Sequence, residues 1–455
     1  MTDRGTAPGA AGGIEPQHAV LVLPSTAEFD SRTYRIASTL AARGHDVTVL
    51  ARRAPGLAGD ERHPGGYRIV RVPVSAIDGL PVADWVRARL ERVRARGASQ
   101  PGADRVPGRR GGGGAGGRVG RAVGSIRRLA AIGLTVRSQR RRAVAIAPPA
   151  DVVHGMAYMG IPVALAVGRQ RRAPVVYDAR DIYLDAGNLA RLPGPARRVF
   201  ARLERGWARA ADRVITVNRP YAQVMAERFG VPEPLIVMNC AYRYQPPPPD
   251  GRRRFHDALG LPPQARVVLY QGGFSRDRGI EQLVRAIDDV PGAVLVCMGY
   301  GALQGELEAI AADPGRLDPV LGPRVRVLPA VPPTELLDWV ASADLVAMPI
   351  QPTTLNHRLT TPNKLFEAMA AGVPVIASDL PGMAEIVRES GCGLLVDPAD
   401  PDAIAAAARS ILDAPADERR AYGERGLAAA HDTYNWETQV ERLLAEYGRL
   451  SGRPW

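Results

Sequence analysis

Twice along this chain, short runs rich in β-branched residues alternate with helix-length stretches, and a proline-rich break separates the two series. In the first series Ala19–Pro24, Val47–Leu50, Tyr67–Val72, Asp151–His154, Pro174–Asp178, Arg213–Val217 and Leu235–Met238 read as strands. Helices are predicted among them at Ser31–Arg43, near Ile161–Arg169 and at Pro195–Ala211. Residues 241–263 interrupt the rhythm with Pro246 to Pro249 and Pro262-Pro263, a composition that breaks regular structure. The alternation restarts with strands Arg266–Gln271, Ala293–Met298, Val325–Leu328 and Leu345–Met348, and with helices Ile280–Asp288, Leu303–Ala312 and Thr334–Ala341. Such alternation demands parallel sheets covered by helices on both faces. The expected fold is α/β, two doubly wound parallel-sheet domains, and 455 residues are enough for two such cores. Ligands of open parallel sheets lie at the carboxyl ends of the strands, so a cleft between the domains is the expected site.

The net charge of +12 suggests a polyanion partner until it is localised. Residues 87–142 hold sixteen arginines against Glu91 and Asp104, a net +14, which leaves −2 for the rest of the chain. The basic charge belongs to one insertion, glycine-rich over Pro107–Arg118, that cannot bury enough apolar surface to order itself. No aromatic residue falls between Val86 and Pro148, so base stacking is unsupported and no nucleic-acid partner is expected. Ser125–Ala145 combines Ile126, Leu129, Ile132 and Val136 with arginines. A helix of that composition suits either packing on the first domain or peripheral contact with an anionic membrane. Cys240, Cys297 and Cys392 form no disulfide or zinc pattern, and residues 1–16 lack the apolar core of a signal peptide. The longest apolar stretch, Val152 to Val167, is too short and too interrupted to span a bilayer. A cytoplasmic protein, peripheral at the inner membrane face, is the expectation.

Of the 59 basic residues only Lys364 is lysine. Arginine's planar fork and lysine's slim point charge are not interchangeable, so a lysine that survives this bias marks a site too narrow for a guanidinium. It stands in Thr360-Thr361-Pro362-Asn363-Lys364-Leu365-Phe366-Glu367, with Asn363 able to cap a helix start. Glu367, three residues on, projects to nearly the same side of the first turn. A cation, an amide and a carboxylate at a helix start can hold a molecule bearing both phosphate and ribose hydroxyls. Two more strand ends carry glycines: Gly272-Gly273-Phe274-Ser275-Arg276-Asp277-Arg278-Gly279, and Gly299-Tyr300-Gly301. Backbone amides there can approach an anion, and Arg276 and Arg278 can add formal charge. The three strand ends together read as a phosphate and ribose site.

These motifs, with Pro362–Val387 and Gly391-Cys392-Gly393-Leu394-Leu395-Val396-Asp397-Pro398, resemble the family-4 retaining glycosyltransferases of GT-B fold. The likeness covers nearly the whole chain outside residues 1–16 and the insertion. It implies two Rossmann-like domains facing a central cleft, with a nucleotide-diphosphate sugar held by the second and the acceptor mainly by the first. By position it implies that Glu367 binds the ribose, that Asn363, Lys364, Gly272, Gly273, Gly299 and Gly301 line the nucleotide site, and that Arg278 neutralises the leaving diphosphate. The resemblance implies no metal and no cofactor. The acceptor is expected to be a glycan, a lipid-linked sugar or a small molecule. Where the family often carries E-x7-E, Leu359 replaces the first glutamate, so His357 and Asn356 become candidates for the sugar contact. His154 and Asp181 are candidates in the first domain, where Asp178-Ala179-Arg180-Asp181 lacks a histidine that related enzymes carry. A nucleotide-sugar epimerase on the same fold is the main alternative, and an RNA-binding protein acting through the Arg/Gly insertion a weaker one. The expected layout is a disordered 1–16, an acceptor-side domain 17–240 with a disordered insertion at about 97–120, and a linker 241–263. A donor domain 264–434 follows, then a helix over 435–455 that packs back on the first domain.

Overall fold

A computed structural model describes residues 15–28, 30–73, 133–187, 189–248 and 251–455. The expectations for residues 1–14, for the insertion at 97–120 and for the start of the Ser125–Ala145 helix lie outside those residues.

The first sheet contains β1 (His18–Val22), β2 (Asp46–Arg52), β3 (Asp60–Arg62), β4 (Arg68–Val72), β5 (Val152–Met156), β6 (Val175–Asp178), β7 (Arg213–Thr216) and β8 (Leu235–Ile236). Their order is β3-β4-β2-β1-β5-β6-β7-β8. Every neighbour pair is parallel except β3 with β4. A strand buried on both faces must be apolar throughout, and Ala19 to Val22 are all fully enclosed. Val20, Val22 and Val153 point into one cluster, covered by a helix over 133–146 and by the helices Ala157–Arg171, Gly194–Ala210 and Arg219–Phe229. Ala19, Leu21 and Val49 point into the other, covered by the helices Ser31–Ala42 and Trp436–Ser451.

The second sheet contains β9 (Arg266–Gly273), β10 (Ala293–Tyr300), β13 (Val325–Leu328), β14 (Leu345–Met348), β15 (Val375–Ser378) and β16 (Gly393–Val396). All are parallel, in the order β13-β10-β9-β14-β15-β16. A small antiparallel pair, β11 (Leu317–Asp318) and β12 (Gly322–Pro323), stands apart. The chain is thus two parallel-sheet α/β domains, each with a helical layer on either face.

Three local features depart from the sequence reading. β3 was not anticipated, because Asp60-Glu61-Arg62 has no apolar signal; it is an edge strand held by antiparallel pairing and by Arg71–Glu61 at 2.9 Å. The helix expected near Ile161 begins at Ala157 and carries Pro162 inside it, giving up one amide donor. Finally, β9 and β10 run two residues beyond their apolar cores, pairing Gly272 with Gly299 and Gly273 with Tyr300, so these glycines are the last rungs of a ladder rather than free loop.

The hinge passes through 241–248, but Phe255 and Leu261 already sit in the second core. At the far end the helix Trp436–Ser451, capped by Asn435, returns to the first sheet with Trp436, Val440, Leu443 and Tyr447 buried there. Trp436 Nε1 donates to Thr39 Oγ1 at 2.9 Å, and its backbone amide donates to Ala241 O at 2.8 Å.

Candidate active site

Three helices of the second domain start at strand ends: Ile280–Ala286 after β9, Asn363–Ala370 after β14, and Pro381–Ser390 after β15. None has a side chain capping its first amides. Elsewhere Asp30, Asn218, Asp400 and Asn435 cap their helices, while Ala157–Arg171, Gly194–Ala210 and Ala416–Asp432 also start without a side-chain cap. Pro362, not Asn363, occupies the cap position; Asn363 is the first helical residue, which corrects the capping role expected for it. Uncapped amides at the positive end of a helix are suited to an anion.

The glycines are there for backbone approach. A Cβ on Gly299 would lie 2.0 Å from Gly272 O, and one on Gly301 would lie 2.4 Å from Phe274 O. Gly272, at φ +112°, holds a conformation that side chains resist, and a Cβ there would reach 3.8 Å from Lys364 Nζ. Gly273 opens on empty space. Lys364 Nζ sits 3.7 Å from the centre of the Tyr270 ring. Burial first, then the neighbouring Arg278 charge, push its ammonium down to about 7, against the pull of Glu367. Glu367, on the same helix, is buried and accepts from Gln271 Nε2 at 2.8 Å. Arg278 lies near them, close enough for its charge to help lower the pKa values of Lys364 and His357. Gly272, Gly273, Lys364, Glu367 and Arg278 therefore converge.

Arg276 does not join them. It is exposed and pairs with Glu281 at 2.8 Å and Glu306 at 3.3 Å on the outer surface. His154 is fully buried under the last helix, with Nδ1 2.6 Å from Tyr447 Oη and Nε2 3.2 Å from Asp178 Oδ2. It faces the core, not the cleft. Asp178 also receives Arg32 Nε at 2.5 Å. Burial opposes ionisation of Asp178, but Arg32 and His154 outweigh it and hold the carboxyl below the usual range.

Asn356 turns out to be a tie between the domains. Its Oδ1 accepts from Ile182 N and Tyr221 Oη, each at 2.8 Å, and its Nδ2 donates to Asp181 Oδ1 at 3.1 Å. Asn218 Nδ2 adds bonds to Leu359 O at 2.7 Å and Thr361 Oγ1 at 2.9 Å. Leu355 and Leu359 pack on the first domain's core. This gives a physical reason for Leu359: a carboxylate there would meet apolar side chains rather than a sugar. His357 is half-buried, its Nδ1 2.9 Å from Thr353 Oγ1; burial and then Arg278 keep its pKa below the ordinary value. Asn356→Ala should leave the Ile182 amide short of a partner and cut the tie to Asp181, while the Tyr221 hydroxyl keeps the backbone carbonyl of residue 356. The expected loss is ~1–3 kcal/mol of stability, seen as a lower Tm, with donor affinity unchanged.

Sequence reasoning missed Gln271, Tyr270 and Arg35. Gln271 orients Glu367, and Tyr270 forms the wall beneath Lys364. Arg35, on the helix Ser31–Ala42, donates to Asn239 Oδ1 at 2.8 Å and feels the charge of Glu367 from across the cleft. Only the alternation along β9 could have flagged Gln271, a polar residue at an inward position.

Residues 265–414 match the family model described as glycosyl transferases group 1, and residues 30–241 match the glycosyl transferase 4-like domain. The chain is 31% identical over 315 residues to D-inositol 3-phosphate glycosyltransferase 1 of Catenulispora acidiphila, covering 65% of this chain and 72% of that protein. This chain belongs to the group 1 glycosyltransferases. A second relative is the GDP-mannose-dependent alpha-(1-6)-phosphatidylinositol monomannoside mannosyltransferase of Mycolicibacterium smegmatis. It is 30% identical, with 64% of this chain and 82% of the relative covered. Among solved structures, sucrose-phosphate synthase from Thermosynechococcus elongatus superposes with a TM-score of 0.69 at 20% identity, covering 96% of this chain and 99% of that one. HepE of Anabaena, solved with UDP-glucose, gives 0.60 at 17% identity, covering 95% and 100%. These likenesses establish the GT-B fold, and the family establishes glycosyl transfer from a nucleotide sugar.

Proposed function

We propose that this transferase holds the diphosphate of a nucleotide sugar at Lys364, Arg278 and the uncapped helix starts, and binds the ribose at Glu367. The sugar then passes to an acceptor hydroxyl with retention of its anomeric configuration. The convergence of Lys364, Arg278 and the Gly272–Gly299 rungs beside a buried, oriented Glu367 carries the reading. The acceptor hydroxyl attacks on the leaving group's own face, and the departing diphosphate takes its proton. The protein's share is positioning and charge neutralisation. In this reading Arg278 and Lys364, rather than a metal ion, balance the growing charge.

The acceptor approaches from the first domain. Relatives named for an inositol phosphate and for a phosphatidylinositol mannoside support a phosphorylated polyol or a lipid-linked acceptor. Among the described residues no helix is long and apolar enough to cross a membrane, so a lipid-linked acceptor would be met from its surface.

The test is donor binding and turnover. Glu367→Ala should weaken binding of the preferred nucleotide sugar by ~1.5–3 kcal/mol, the range for hydrogen bonds to a charged group. Unchanged affinity in a folded variant would move the nucleotide elsewhere. Turnover that converts the donor sugar with no acceptor present would favour an epimerase instead.

A further inference from the structure

We infer that the helical layer formed by residues 133–146, Ala157–Arg171 and Gly194–Ala210 is a docking surface for an anionic lipid bilayer, with Val199 and Leu203 as its apolar wedge. The proposal deepens the lipid-linked reading of the acceptor and rests on it only for its purpose.

The three helices cover one face of the first sheet and share one buried cluster, to which they contribute Ala143, Ile161, Val167, Phe200 and Ala208. Their inner faces are therefore used; the outer faces of 133–146 and Gly194–Ala210 remain, joined by Arg169 and Gln170 at the exposed end of Ala157–Arg171. Segments 133–172 and 189–210 contain thirteen arginines against two acids, Asp151 and Glu204. Glu204 is buried, where it accepts from Tyr177 Oη at 3.0 Å. The outward side of Gly194–Ala210 thus bears positive charge with no exposed acid of its own.

On that side two large apolar residues stand free, Val199 at 50% and Leu203 at 48% exposure. They are four residues apart, one helical turn, as are the exposed Arg198 and Arg202 beside them. Arginines flanking an aliphatic pair fit a headgroup layer with acyl chains behind it. The pair is aliphatic, which gives a nucleic acid base nothing to stack on. The helix also starts close to the cleft: Arg197 in its first turn pairs with Asp185 at 2.6 Å, a few residues beyond Asp181. Docking by this face would bring the cleft to the membrane surface.

The experiment is sedimentation of the full chain with vesicles of phosphatidylcholine, with and without one-third phosphatidylglycerol, at low and high salt. Salt-sensitive binding to the anionic vesicles alone is expected. Arg198→Ala with Arg202→Ala should weaken it about twenty-five-fold, at roughly a factor of five per charge near the surface. Val199→Asp with Leu203→Asp should also weaken it, while deletion of 97–120 should leave salt-sensitive binding in place. Each variant is assayed in parallel for transfer to a soluble acceptor, which should match the wild type. Binding that survives both double substitutions, or vanishes with 97–120, overturns the surface. So does binding to RNA in place of vesicles. Loss of soluble transfer in the wild type itself would instead count against the proposed donor site.

Discussion

Replacing Arg278 with alanine should lower kcat about a hundredfold while raising KM for the donor far less. Negative charge grows on the diphosphate as the bond to the sugar breaks, so a cation placed there acts more strongly in the transition state than in the ground state. Loss of one preorganised partner of a developing anion costs ~10²–10³ in kcat. Arg278 follows β9 and lies near enough to Lys364 and His357 to help lower both pKa values, so a diphosphate held at Lys364 would feel its charge. Steady-state kinetics separates the roles. A rise in KM with kcat intact would make Arg278 a clamp on the bound donor and remove it from the chemistry.

Lys364 should be equally intolerant, in a way that shape decides. Its buried ammonium lies over the Tyr270 ring and close to Gly272, a setting fitted to a compact charge rather than to a wider planar guanidinium. Lys364→Arg should cost at least about tenfold in kcat/KM with little change in Tm, and Lys364→Met more. The same crowding predicts a pH dependence. Burial and Arg278 hold the free lysine's pKa at about 7, so above that pH the group is neutral in the empty site. A bound diphosphate favours the charged form, so the complex carries more protons than the free protein. Affinity should therefore be flat below pH 7 and fall as pH rises above it, by up to about tenfold per unit. For stability the sign is opposite. An unfolded lysine keeps its proton to higher pH, so this group costs stability below pH 7, and the cost fades as pH rises above it.

The fold was legible because each β-branched run of a fully buried parallel strand is nearly continuous, and because helices and strands alternate along most of both halves. β3 was not, since an edge strand of Asp60-Glu61-Arg62 is made by its neighbour rather than by its own side chains. The convergence of the glycines, the single lysine and Glu367 could be read because all lie in local strand-to-helix segments. Residues whose role depends on the other domain could not. Asn356 looked like a sugar contact and ties the domains, because Tyr221 and Ile182 come from more than 130 residues away. His154 looked like a cleft residue and is walled in by Tyr447, which arrives 293 residues later. Arg276 stood beside Arg278 in sequence, yet the turn sends it outward to Glu281 and Glu306.

A nucleotide sugar that binds with its diphosphate on Lys364 must return a proton to that amine. Calorimetric titration with UDP-glucose and GDP-mannose at pH 8, in two buffers of different ionisation enthalpy, tests it most directly. The nucleotide sugar has no titration of its own near that pH, so any proton exchanged belongs to the protein. Uptake of about one proton per donor bound is expected for the wild type, and none for Lys364→Met. Binding without proton uptake, or uptake that persists in Lys364→Met, would contradict it.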